Sequence, residues 1–185
     1  MGPALFIVIA IILVPLIWSI AAYNTLIRYR NHVTESWSDV DTELQRRYDL
    51  IPNLVSTVKG YAKHEQSLLE EVTKLRGEAR NNTGTPQSQA RSESSFVSAL
   101  SRLLVTVEGY PDLKANKNFL ALQDELTNTE DRIQVSRRFY NGNVRDMNNR
   151  VQMFPSNIVA SMFGFEESEF FELRDPVTRE APQVD

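Results

Sequence analysis

The sequence predicts an all-α protein: a single N-terminal transmembrane helix, an antiparallel up-and-down four-helix bundle, and a short C-terminal amphipathic helix. Three observations predict it. The chain opens on an uncharged apolar run, from Gly2 to Ile27. Beyond it, apolar residues recur at alternating three- and four-residue steps, the period of a helix face buried on other helices. No alternating pattern of the kind a half-buried strand needs occurs anywhere.

The anchor is "PALFIVIAIILVPLIWSIAA", Pro3 to Ala22. A helix of about 20 residues, rising about 1.5 Å per residue, spans the roughly 30 Å hydrocarbon core of a bilayer. Pro15 would break a soluble helix, but a membrane helix tolerates the kink. Trp18 and Tyr23 suit the aqueous interface. A cleaved signal peptide is the competing reading, because Ser19–Ala21 offers small residues for cleavage. No Lys or Arg precedes the apolar run, however, and a signal peptide normally opens on a basic segment. Arg28 and Arg30 follow the span, so the positive-inside rule puts the N-terminus outside and the body in the cytoplasm.

The first bundle helix carries Tyr23, Leu26, Val33, Trp37, Val40 and Leu44 on one seam, with Arg30 at the missing position. A second run reads Ile51, Leu54, Val58, Tyr61, Glu65, Leu68, Val72, Leu75, Ala79. Asp49 can cap its start, and Pro52 is acceptable in a first turn. "YDLIPN" is therefore read as a tight corner; one helix continuing through Pro52 is the alternative. Gly77–Ser95 reads as a break. The third run is Phe96, Leu100, Leu103, Val107, and "GYPDLK" is a second corner. The fourth is Phe119, Leu122, Leu126, Ile133, Tyr140, Val144, Met147, Val151, Phe154. The resulting boundaries are an anchor over 1–27, a helical bundle over 28–154, an apolar segment over 155–173 and a polar tail over 174–185. "YNTLIRYRN" and "YNGNVRDMN" share a pattern, and antiparallel first and fourth helices would bring both to one end.

Composition excludes several chemistries. A net charge of −4 is a poor match for a nucleic-acid binder. With no cysteine there are no disulfides, Fe–S clusters or thiol nucleophiles. Neither His32 nor His64 has a Glu three residues before it, as a di-iron bundle requires. Serine elbows, Ser-x-x-Lys boxes and phosphate loops are missing too. The chain therefore reads as a protein without cofactor, metal or catalytic residues.

Two features stand apart. Glu65 is a carboxylate at an apolar seam position. Counting from a corner at Asp49 puts it near the level of Arg30 or Arg137, and an ion pair with either would specify register. "FPSNIVASMFGF" places Ile158, Val159, Met162 and Phe163 on one face of a short helix, flanked by Phe154 and Phe165. Its partner is another copy, the lipid surface or its own core. Glu166, Glu167 and Glu169, with no neighbouring Lys or Arg, favour another copy over an anionic leaflet.

With "RRYDLIPNLV" and "FPSN" in place, the chain resembles the LemA family of bacterial membrane-anchored proteins, from the anchor to about Phe171. The resemblance implies one transmembrane helix, a cytoplasmic antiparallel helical bundle and a place in the bacterial inner membrane. It brings no catalytic residues. The expectation is a membrane-anchored structural or interaction protein, held in the bilayer by residues 3–22, that self-assembles through its bundle and C-terminal apolar segment. An adaptor docking a cytoplasmic client protein is the alternative.

Overall fold

The computed structural model describes residues 3–173, with side chains described from Ile9 onward. The 174–185 tail expected from the sequence lies outside the described residues. All described secondary structure is helical. The helices are α1 (Pro3–Lys59), α2 (Gln66–Arg80), α3 (Pro86–Val107), α4 (Pro111–Lys114), α5 (Lys117–Gln152) and α6 (Ser156–Met162), with a 3-10 turn at Lys63–Glu65. The expected four-helix bundle is thus corrected to six helices among the described residues. The anchor and the first bundle helix are one element, and it does not turn at "YDLIPN".

The reason lies in how Pro52 is accommodated. Proline has no N–H, so inside a helix it leaves the carbonyl four residues back without a partner. Here that carbonyl belongs to Tyr48, and Arg76 on α2 donates its Nε–H to it at 2.6 Å. The orphan acceptor created by Pro52 thereby becomes a tie between α1 and α2. Asp49 is no cap; it accepts from Gln45 one turn earlier, at 2.9 Å, as a mid-helix residue. The helix instead ends at Lys59, after which Tyr61 and Ala62 bond back to the Val58 carbonyl. Arg76→Leu should destabilise the protein by about 1–3 kcal/mol, because a buried acceptor is left unpaired. In a Pro52→Ala background, where a backbone N–H returns, the same substitution should cost less. Chemical unfolding of the four variants in a double-mutant cycle measures the difference.

The expected break over Gly77–Ser95 is also corrected. Only Asn81–Thr85 separates α2 from α3. Thr85 accepts from the Ser88 N–H at 3.3 Å and Pro86 opens the helix, a standard N-terminal pairing. Asn82 donates to Ser92 at 2.8 Å and accepts from the Gly84 N–H at 2.8 Å, which closes the turn.

The chain divides into two compact units. Among the described residues, one comprises 39–138 with 169–173. Among its described residues the core is Val40, Leu44, Ile51, Leu54 and Val58 of α1, Val72 of α2, Phe96 and Leu103 of α3, Leu113, Phe119 and Ile133, and Phe171. The other comprises 1–38 with 139–168. Its core is Leu26, Val33, Tyr140, Val144, Met147, Val159, Ala160 and Phe165. Within this unit α1 and α5 run antiparallel. The Trp37 ring meets Tyr140 at 5.2 Å, Asn143 reaches the His32 carbonyl at 3.4 Å, and Arg150 lies over Tyr29 at 5.5 Å. The two related stretches, Tyr23–Asn31 and Tyr140–Asn148, therefore fall in the same unit. Asn148 holds the chain after α6 in place, accepting from the Ser168 N–H at 2.8 Å and donating to its carbonyl at 3.0 Å.

Candidate interaction surfaces and a buried charge cluster

Inside the 39–138 unit lies a charge cluster that the apolar seams do not announce. Arg47 on α1 is almost wholly buried. Its guanidinium donates to Glu130 of α5 at 2.7 Å and to Glu93 of α3. Glu93, with no exposed surface, also accepts from the Tyr48 hydroxyl. Gln89, one turn earlier on α3, donates to Tyr48 at 3.0 Å, to Glu93 at 3.1 Å and to the Ala79 carbonyl of α2 at 3.0 Å. The Phe96 ring lies 5.5 Å from the guanidinium. The cluster thereby joins α1, α3 and α5 through Arg47 and α2 through Gln89, a placement that specifies partner and register more than it adds stability.

Burial, reinforced by the Glu93 charge and its hydrogen bond, raises the Tyr48 pKa well above the ordinary tyrosine value. Tyr48 therefore stays a donor. A raised folded pKa means its contribution is complete below about pH 10 and is lost as the pH rises through the folded value. Tyr48→Phe should flatten that alkaline decline while lowering stability near neutrality. Thermal unfolding across pH 7–11 for both proteins checks the sign.

Beside the cluster opens a groove of about 1110 Å³, lined along α3 by Val97, Leu100, Ser101, Leu104 and Val105 and along α5 by Gln123, Leu126, Thr127, Glu130 and Gln134. Arg47 and Glu130 form part of its wall. Val105 is 72% exposed.

The expected site residues fall as follows. Glu65 is not placed against an arginine: it accepts from the Tyr110 hydroxyl at 2.9 Å, and this bond is the first cause of the raised Tyr110 pKa. Arg137 lines the groove, and Arg30 lies over the Phe165 ring at 5.4 Å. The level assigned to Glu65 assumed a corner at Asp49. With α1 ending at Lys59 instead, Glu65 sits in the turn itself, so its partner comes from the α3–α4 connection. Tyr61, also assigned to the seam, is exposed for the same reason.

Of the C-terminal candidates, Val159 and Phe165 are buried, whereas Phe154, Ile158, Met162 and Phe163 face outward. The division follows from the end of α6. Gly164 takes a positive φ of 68°, and the Phe165 N–H bonds to the Ala160 carbonyl at 2.9 Å. This is the glycine-dependent reversal that commonly ends a helix, and it drives the following apolar residue inward. Phe163, just before the reversal, stays outside and lies 4.8 Å from the Tyr23 ring.

Among the described residues no three His, Asp or Glu side chains converge as a metal site would require. The long apolar helix, the helical body and the outward apolar face define a class: an all-α, membrane-associated protein with packing suited to a structural or interaction role. The chain belongs to the LemA family, whose model matches residues 36–185. It is similar to Protein LemA of Metamycoplasma hominis, with 28% identity over 137 residues, 74% of this chain and 63% of that protein. It is also similar to magnetosome protein MamQ 2 of Paramagnetospirillum magneticum, with 24% identity over 175 residues, 81% of this chain and 64% of that protein. Magnetosome protein MamQ of Magnetospirillum gryphiswaldense matches at 24% over 174 residues, 80% of this chain and 64% of its own length. The chain thus spans a little under two thirds of the curated relatives it matches.

Proposed function

We propose that the protein is a membrane-anchored interaction protein, without catalytic activity, whose helical body associates with further copies of itself. The observation that carries this reading is the open groove along α3 and α5. Its volume of about 1110 Å³ would take roughly two to three turns of a helix about 10 Å across. The groove floor is apolar where Leu100, Leu104 and Leu126 line it, and Val105 stands exposed at its side. The anchor sits in the bacterial inner membrane with the N-terminus outside and the body in the cytoplasm, which the arginines after the span support.

The absence of native cysteine makes the reading testable by cross-linking in the membrane. Val105→Cys, carrying a photoreactive label in the full chain, should yield adducts between copies on illumination. Val105→Glu should abolish association while the body stays helical by circular dichroism. Adducts only to lipid or solvent would overturn the reading. The polar side chains in the lining, such as Gln123, Gln134 and Ser101, favour a second reading: an adaptor that docks a cytoplasmic client, since transient interfaces are more polar than permanent ones. Adducts to a different protein, with none between copies, would select it.

A further inference from the structure

We infer that α6 lies in the bilayer surface, with Phe154, Ile158, Met162 and Phe163 inserted at the boundary between headgroups and acyl chains. The partner of this face is lipid.

The register within the 1–38 and 139–168 unit carries the inference. Going down α1 toward the apolar run, its residues meet successively later parts of the chain: Trp37 meets Tyr140, Tyr29 meets Arg150, and Tyr23 meets Phe163. The chain therefore descends along α1 and reaches α6 at the level of Tyr23. That level has a physical meaning. The apolar run ends at Ala22, and the helix from Pro3 to Ala22 has about the rise of a hydrocarbon core. Tyr23 consequently stands at the interface, where tyrosine is enriched. Phe163, 4.8 Å from it, stands there too.

The faces of α6 agree with that position. Val159, Ala160 and the following Phe165 turn inward, while Phe154 and Met162 are 78% and 73% exposed. Ile17 and Ile20 of α1, within about two turns before Tyr23, are exposed as well. An outward apolar face on a short amphipathic helix beside the end of the span fits a lipid interface. Charges sit where headgroups would reach them. Arg30 is seven residues beyond Tyr23, about 10 Å further along the helix, and it lies over Phe165. Arg150 lies over Tyr29. These cations offset Glu166 and Glu167, whose charge disfavours an anionic leaflet. A second copy could cover α6 only by displacing lipid from the base of its own anchor.

The test uses the full chain in phosphatidylcholine–phosphatidylglycerol vesicles, diluted below one chain per vesicle. Met162→Cys and Ile158→Cys each carry a polarity-sensitive fluorophore, and Lys59→Cys serves as the water-exposed control. Nitroxides on the lipids report proximity. Both α6 labels should emit to the blue of the control and lose intensity to shallow nitroxides, consistent with a depth of about 5–10 Å. Lys59 should emit as in water and show no such loss. Blue-shifted emission that lipid nitroxides do not quench, or emission as in water, would overturn the inference. Because the chains are isolated, the result is independent of whether the body self-associates.

Discussion

Glu93→Ala should destabilise the helical body by about 3–5 kcal/mol, the cost of leaving a buried charge uncompensated. Glu93 has no solvent access and accepts from both Arg47 and Tyr48. Its removal takes one of two carboxylates from a guanidinium that is almost wholly buried, and Glu130, partly exposed on α5, can take only one side of it. Replacing the pair together by apolar residues, Arg47→Met with Glu93→Leu, should cost far less, because the one carboxylate that loses its partner, Glu130, is partly exposed and can turn to water. Denaturant unfolding followed by circular dichroism separates the two cases. A loss from Glu93→Ala no larger than that of an exposed glutamate such as Glu78 would mean that the cluster is solvated.

Ile133→Ala should cost about 2–5 kcal/mol, the range for deleting a large aliphatic side chain from a close-packed site. Ile133 is fully buried on α5, whereas Val135 on the same helix is 57% exposed. Val135→Ala should therefore change stability by less than about 0.5 kcal/mol. Equal losses at the two positions would show that the face of α5 has been assigned wrongly.

Much of the helical body is legible in the apolar steps. Phe96, Leu100, Leu103 and Val107 on α3, and Phe119, Leu126, Ile133 and Tyr140 on α5, are spaced as core residues and are buried. The phase of the first seam held a further signal. Val40, Leu44, Ile51, Leu54 and Val58 keep their spacing across Pro52, which faces outward. An unshifted seam argues for one helix, but Pro52 and Asp49 are local signals for a corner. The contact that resolves the conflict, Arg76 on the Tyr48 carbonyl, comes from α2 and has no local trace.

The first half of α3 was hidden for a related reason. Its inward positions are Gln89, Ala90 and Glu93, so the stretch reads as polar and structureless although all three side chains are buried. Charges that face one another across a core leave no apolar period. Arg47 and Glu93 are 46 positions apart, and nothing in either neighbourhood points to the other. The apolar character of "FPSNIVASMFGF" was plain, whereas its division into inward and outward residues depends on Gly164 and on where Tyr23 lies.

Association of the anchored body with copies of itself is measured by the mass of the full chain released from its membrane inside native lipid discs. A defined mass above that of one chain, reduced by Val105→Glu, is the expected result. A single chain per disc at every protein density would contradict it.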